Sequence, residues 1–462
     1  MVKQIYRKLK HIYMVGIGGT GMSGIAEVLL TLGYKVTGSD LQTNEATQRL
    51  ASLGAKVFKG HKANRVRGAD VVVISSAISE DNIEVREARQ LQIPVIPRAE
   101  MLAELMRMKY GVAVAGAHGK TSTTSMIAQV LDQGGYDPTI IVGGRLNTIG
   151  SHGKLGEGEF IVAEADESDR SFLFLSPFIA VLTNIDEEHL DRYVTVDEIK
   201  KTFVNFANKV PFYCPVILCL DDANLQSLIP LVERRIITYG FSSQADIFAR
   251  DHSFDRFQST STLFSKGKKI GDLRLRVPGK HNILNGMAAV AVGLDLDIPV
   301  KVILKALQDY SGTGRRFELK KEINGIMVIE DYGHHPTEIR ATLDAAKRGW
   351  TRRVVAVFQP HRYTRLSLLM KSFATAFNQA DVLVTTEVYP AGEQPIPGVT
   401  GKALFEEIKL FGHKNVYFEP NMKKIPSLLV KIIQPQDMIL VLGAGNIYKI
   451  IPDIIARLEE KS

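Results

Sequence analysis

Only two cysteines and one tryptophan occur in 462 residues, and aromatic side chains make up 8% of the chain. The cysteines, Cys214 and Cys219, lie five apart in the extended segment "YCPVILCL", where an odd separation turns them to opposite faces. A disulfide framework or a cysteine metal site is not expected from this pair. Buried free thiols are, and they suit a reducing, cytoplasmic setting. Also missing is any apolar run of the roughly 18 to 20 residues a membrane helix needs. The basic start "MVKQIYRKLKHIYMVGIGGTG" runs into a glycine loop with no small-residue cleavage site, so no signal peptide is expected. The net charge is +7, yet lysine and arginine are dispersed rather than gathered into the blocks that track nucleic acid. Nucleic acid is therefore inferred only weakly, and phosphorylated small molecules explain the basic excess equally well.

What is present is an alternation of short apolar strands with amphipathic helical patterns, the signature of parallel sheets with crossover helices and hence of an α/β fold. Runs such as "HIYMVGIGG", "ADVVVISSA", "GVAVAGAHG", "FIVAEADES", "IAVLTNIDE", "RVVAVFQPH" and "DMILVLGAG" end in glycine or polar residues. Ligands gather at the carboxyl ends of such strands. The length suggests about three domains. Boundaries are expected after the helical "RAEMLAELMRMKY" and near "DYSGTGRRFE", giving residues 1–107, 108–311 and 312–462. The stretch from Phe241 to Val277 reads as an antiparallel excursion within the middle piece.

Two glycine loops carry the functional signal. "GIGGTG", Gly16 to Gly21, follows a strand and opens a helix, with Asp40 ending the next strand. This is a dinucleotide fingerprint in its proper context, but a helix amino terminus accepts any diphosphate, so nicotinamide and other nucleotides both remain open. The second loop, "GAHGKT", has two residues between Gly116 and Gly119-Lys120-Thr121 where the usual nucleoside-triphosphate loop has four. Lysine beside threonine at a glycine-lined helix start supplies a charge for phosphates and a hydroxyl for Mg²⁺. Two different nucleotide sites in one chain favour an ATP-driven step on a nucleotide-carried substrate over a dehydrogenase, which would leave Lys120 unexplained.

Other strand ends concentrate polar residues. "EADESD" offers Glu164, Asp166, Glu167 and Asp169, either ligands for a hard cation or a solvated acidic turn. "TNIDEEHLD" places His189 at a second strand end, as a metal ligand or a structural histidine. His281, Asn282 and Asn285 open a helix, where the amides could read a base or merely cap. "GRRF", "DYGHHPTE" and "HRYTR" add Arg315, Arg316, Tyr332, His334, His361, Arg362 and Arg365 in the last third.

Taken in order, these motifs closely resemble the Mur ligase family over essentially the whole chain, and the short phosphate loop is that family's own. The resemblance implies a Rossmann-like amino-terminal domain for a UDP-sugar, a central P-loop ATPase-like domain, and a Rossmann-like carboxyl-terminal domain for an amino acid. It implies an ATP-dependent amide ligase that joins L-alanine to the lactoyl carboxylate of UDP-N-acetylmuramate through an acyl phosphate, in bacterial peptidoglycan synthesis. A member that recycles an intact tripeptide is the nearest alternative. By the same resemblance, Gly18, Gly19, Thr20, Gly21, Met22, Ser23, Asp40, Ser75 and Ser76 hold the UDP-sugar. ATP falls to Gly116, Ala117, His118, Gly119, Lys120, Thr121 and Ser122, with His281, Asn282, Asn285 and Arg316. Thr121, Glu164 and His189 ligate Mg²⁺, with two ions expected, and Lys120, Glu164, His189 and Arg316 serve catalysis. Tyr332, His334, His361, Arg362 and Arg365 hold the amino acid and muramoyl group, and the enzyme is expected as a monomer or homodimer. One departure stands out: where several family members carry a carbamylated lysine there is Val204, with Lys201 out of register.

Overall fold

In a computed structural model of the chain, which describes residues 9–75, 77–146, 151–168, 170–186, 193 and 195–460, the seven quoted strand-like runs all contain strands, distributed over three sheets. The first sheet contains β1 (His11–Val15), β2 (Lys35–Asp40), β3 (Lys56–Lys59), β4 (Val71–Ile74) and β5 (Val95–Pro97), all parallel, in the order β3-β2-β1-β4-β5. Strand order therefore reverses between β1 and β4. The loops after these two strands flank the crevice where such sheets bind ligands.

The second sheet has ten strands: β6 (Tyr110–Ala115), β7 (Thr139–Leu146), β8 (Ser151–Lys154), β9 (Phe160–Glu164), β10 (Ile179–Leu182), β11 (Pro215–Cys219), β12 (Arg235–Gly240), β13 (Ile247–Asp255), β14 (Gln258–Ser265) and β15 (Lys268–Leu275). Their order is β15-β14-β13-β12-β11-β10-β6-β9-β7-β8. Strands β6, β9, β10 and β11 are buried or nearly so along their lengths, as expected of apolar runs in a parallel sheet covered on both faces. The excursion read from Phe241 to Val277 contains β13 to β15, joined by tight turns at Arg256-Phe257 and Lys266-Gly267. Both cysteines are buried free thiols, and burial pushes Cys219 up to about 12.

The third sheet contains β16 (Glu318–Ile323), β17 (Ile326–Asp331), β18 (Val354–Phe358), β19 (Val382–Thr385), β20 (Val416–Phe418) and β21 (Met438–Leu442), in the order β16-β17-β21-β18-β19-β20. Only β16 is antiparallel to its neighbour. The two-residue period of a strand divides its side chains between two cores. Val354, Ala356 and Phe358 join a cluster with Ile329, Leu343 and Leu440, while Val355 and Val357 join Val328, Ile439 and Val441 on the other face. Phe358 is fully buried, and truncating such a phenylalanine to alanine costs about 3 to 5 kcal/mol.

The chain forms two compact units. One comprises Met1–Arg250, Thr262–Leu273 and Leu284–Ser311; the other comprises Asp251–Ser261, Arg274–Ile283 and Gly312–Ser462. Among the described residues, no helix is long and apolar enough to cross a membrane.

Candidate active site

The short phosphate loop of the first unit runs from β6 into the helix Lys120–Gln133. Its glycines are required by their surroundings. Gly116 has φ +139°, and a Cβ there would lie 2.1 Å from Thr183 Oγ1; Gly119 has φ +81°, and a Cβ would lie 2.7 Å from Asn285 Oδ1. Side chains from the end of β10 brace the loop. Thr183 Oγ1 donates to the His118 carbonyl at 2.7 Å, Asn184 Nδ2 donates to the same oxygen at 2.9 Å, and His118 N donates to Asn184 Oδ1 at 2.8 Å. The His118 ring reaches Asp186 Oδ2 at 2.8 Å. Among the described residues, no side chain caps the helix start, which leaves its first amide hydrogens for an anion, as at phosphate-binding helix termini.

Lys120 folds back over this loop. Its Nζ donates to the Gly116 carbonyl at 2.6 Å and to Glu167 Oε1 at 2.8 Å. Glu167 is buried, and burial pushes its carboxyl up to about 7 against the pull of Lys120. Tyr193 donates its hydroxyl to the Glu167 carbonyl at 2.5 Å, which fixes the turn from the main chain. Glu164, at the end of β9, accepts from Gly143 N at 2.8 Å, and a Cβ on Gly143 would lie 2.8 Å from its second carboxylate oxygen. A threonine hydroxyl at the helix start and a carboxylate at the adjacent strand end are the oxygen donors a hard cation takes beside phosphates. The glycine cradle and this donor set fit Mg²⁺ with a nucleoside triphosphate.

The first glycine loop, after β1, opens the helix Thr20–Thr31. Gly18 N donates to Asp40 Oδ2 at 2.9 Å and Gln42 N to Asp40 Oδ1 at 3.0 Å, so Asp40 ties the loop to the end of β2. Ser23 is buried and donates to the Thr20 carbonyl at 3.0 Å. Gly19, Thr20, Gly21, Met22 and Ser75 line a cavity of about 270 Å³ whose other walls are Arg98, Lys120, Ile141, Val142, Gly143, Glu164 and Asp166. A single cavity thus touches both glycine loops.

In the second unit, Asp331 at the end of β17 accepts from Phe317 N at 2.8 Å and Gly333 N at 2.7 Å, which holds the arginine turn and the "DYGHH" loop together. Arg315 and Arg316 stack 4.8 and 5.2 Å from the centre of the Tyr332 ring, and Arg316 lies 3.5 Å from Glu338. The rings of Tyr332 and His334 are 5.3 Å apart, and those of His334 and His361 are 5.8 Å apart. Arg365 Nη1 lies 3.1 Å from His361 Nδ1. Arginine only donates, so Nδ1 accepts and the neutral ring carries its proton on Nε2. Desolvation, His334 and the nearby arginines push His361 down to about 3; desolvation and Arg316 push His281 down to about 4. Arg362 has φ +70°, a strained value for a non-glycine residue, and its Nε donates to Glu393 Oε1 at 2.5 Å. Asn282, buried, donates to the Pro278 carbonyl at 2.7 Å.

The structure therefore gathers Gly19 to Met22, Ser75, Lys120 and Glu164 at one cavity of the first unit, and Tyr332, His334, His361 and Arg365 into a contiguous series in the second. Ser76 and His189 lie outside the described residues, as does Asp169. Sequence reasoning missed Thr183, Asn184, Arg98 and Glu393. The polar ending of "IAVLTN" is a signal for the first two, and Arg98 opens a helix directly after a strand. Glu393 meets Arg362 across 31 residues and leaves no local trace.

Three family models match consecutive parts of the chain: the Mur ligase family catalytic domain over residues 11–110, the Mur ligase middle domain over 114–293, and the Mur ligase glutamate ligase domain over 315–445. The UDP-N-acetylmuramate–L-alanine ligase of Geotalea daltonii is 55% identical over 456 residues, covering 99% of this chain and 100% of the relative. That of Syntrophotalea carbinolica is 56% identical over 446 residues, covering 96% and 97%. The crystal structure of the UDP-N-acetylmuramate–alanine ligase of Thermotoga maritima superposes with a TM-score of 0.84 at 30% identity, covering 98% of this chain and 100% of that one. A murein peptide ligase from Psychrobacter arcticus shares the fold, with a TM-score of 0.74 at 24% identity over 97% of this chain and 98% of its own. With three successive domains matched and both glycine loops in the places that the domain order requires, the chain belongs to the Mur ligase family.

Proposed function

We propose that this protein is an ATP-dependent ligase that joins L-alanine to the lactoyl carboxylate of UDP-N-acetylmuramate, releasing ADP and phosphate. The observation that carries this reading is the single cavity lined by Gly19 to Met22 on one side and by Lys120 and Glu164 on the other. A sugar nucleotide held at the first loop and ATP held at the second would meet there. The full-length relatives supply the names of the acid and the amine.

A carboxylate does not condense with an amine in water, because its oxygen is a poor leaving group. Attack of the lactoyl carboxylate oxygen on the γ-phosphorus of ATP expels ADP and forms an acyl phosphate. The free amine of L-alanine then adds to the acyl carbon, loses a proton, and expels phosphate with the former carboxylate oxygen. Lys120 neutralises the charge on the transferring group, and the amides at the Lys120–Gln133 helix start hold the phosphates, so positioning and electrostatics supply most of the rate. Thr121 and Glu164 are assigned to Mg²⁺, which screens the phosphate oxygens when bound, and His189 to a second ion. His118, Ser122, His281, Asn282, Asn285 and Arg316 are assigned to ATP. Gly18, Ser23, Asp40 and Ser76 join Gly19 to Met22 and Ser75 for the UDP-sugar. Tyr332, His334, His361, Arg362 and Arg365 are assigned to the amino acid and muramoyl group, where guanidinium groups suit a carboxylate. The corresponding domains are residues 1–107, 108–311 and 312–462, and the setting is the bacterial cytoplasm.

The test is phosphate release from Mg-ATP and UDP-N-acetylmuramate with L-alanine, with the tripeptide, or with no acceptor. Release that needs both the sugar nucleotide and L-alanine supports the proposal. Release with the tripeptide but not with L-alanine moves the protein to the recycling activity.

A further inference from the structure

Arg98 has no part in the roles assigned above, yet it stands inside the cavity that joins the two glycine loops. It is the first residue of the helix Arg98–Met106, directly after β5, and its side chain is 18% exposed. Asp166 takes one end of the guanidinium, with Nη2 donating to Oδ2 at 3.0 Å. The other end lies flat against the first glycine loop: a Cβ on Gly21 would come within 2.7 Å of Nη1 and 3.2 Å of Cζ. The guanidinium thus fills the space that the absent side chain of Gly21 leaves beside the loop. Among the described residues, Asp166 is the carboxylate that Arg98 pairs with, and it also feels Lys120. Burial acts to raise Asp166, but Arg98, Lys120 and the hydrogen bonds from Ser168 together hold the carboxyl below its usual range.

We infer that Arg98 is a specificity-determining residue that binds the diphosphate of the sugar nucleotide. This rests on the proposed function. A planar guanidinium that is always charged matches phosphate oxygens in a bidentate fork, and a lysine ammonium in its place would not. Ser75 and Gly19 to Met22 complete the same wall. When the diphosphate arrives, it competes with Asp166 for Arg98, so sugar-nucleotide binding changes the charge balance next to Lys120.

The test is calorimetric titration without ATP or Mg²⁺, using uridine, UDP and UDP-N-acetylmuramate as probes on the wild-type protein, Arg98→Gln, Arg98→Lys and Asp166→Asn. Losing a charge-assisted contact should weaken UDP and UDP-N-acetylmuramate by about 10- to 100-fold in Arg98→Gln, with Arg98→Lys intermediate and uridine unchanged. Asp166→Asn, which frees the guanidinium, should bind UDP at least as tightly as wild type. Equal UDP affinity in wild type and Arg98→Gln overturns the inference while leaving the ligase reading intact. Equal weakening of all three ligands in Arg98→Gln and Asp166→Asn also overturns it, by reducing the ion pair to a structural tie. A wild-type protein that binds none of the three overturns the ligase reading and the inference together.

Discussion

The Lys120 ammonium lies 2.8 Å from Oε1 of Glu167, a carboxylate whose side chain is 4% exposed. A loop built to hold phosphate thus keeps its lysine on an internal counter-charge and in contact with the loop carbonyls of Gly116 and Ala117. Phosphates must compete with Glu167 for the same ammonium. Lys120→Ala is predicted to lower kcat by about 100- to 1,000-fold, the usual cost of removing one preorganised charge stabiliser. Glu167→Gln retains the lysine and is predicted to tighten ATP binding severalfold. Steady-state rates and ATP titrations check the two expectations separately.

Thr183 braces the phosphate loop beside its glycines. Gly116→Ala places a methyl group 2.1 Å from Thr183 Oγ1 at φ +139°, so ATP use should be lost while UDP binding survives. Thr183→Val removes the donor to the His118 carbonyl, a bond worth about 1 kcal/mol. The KM for ATP should rise about fivefold, with the KM for L-alanine unchanged. A Thr183→Val variant with wild-type ATP kinetics would contradict the bracing role.

Two histidines of the second unit make its stability sensitive to acid. His361 is held down to about 3 and His281 to about 4, against an ordinary value of 6.5. Between those values the unfolded chain binds more protons than the folded one, so stability rises with pH. The contribution is complete above about pH 6.5 and is lost as pH falls through the window below it, by at most about 1.4 kcal/mol per pH unit for each ring. Thermal unfolding should shift to lower temperature between pH 7 and pH 5, and His361→Gln should flatten that dependence. An identical slope in the variant would contradict the assignment.

Arg365 bonds the ring of His361 and, on the proposed function, faces the carboxylate of the amino acid. Arg365→Lys keeps the charge and loses the planar fork. The KM for L-alanine is predicted to rise about 10-fold or more, with the KM values for ATP and UDP-N-acetylmuramate within about twofold of wild type. Initial-rate kinetics with each substrate varied in turn make the comparison.

The alternation of buried strands was legible because runs such as Val71–Ile74 and Met438–Leu442 are apolar on both faces, as a covered parallel sheet demands. The phosphate loop was legible for a similar reason: Gly116, Gly119, Lys120 and Thr121 act together within six residues of chain. What the sequence could not display is contact over distance. The Thr183 hydroxyl meets the loop across 65 residues, and Arg98 meets Asp166 across 68. Asp40 was legible as a polar residue at a strand end, but its ties to the backbone of Gly18 and Gln42 appear only in the fold.

If the lactoyl carboxylate is activated by phosphoryl transfer before the amine attacks, one of its oxygens must leave with the phosphate, and an oxygen label follows it. UDP-N-acetylmuramate carrying ¹⁸O in its lactoyl carboxylate is incubated with Mg-ATP and L-alanine, and the released phosphate is analysed by mass spectrometry. One labelled oxygen is expected in inorganic phosphate for each amide bond formed, with ADP as the nucleotide product. Unlabelled phosphate, or AMP with pyrophosphate, would contradict it.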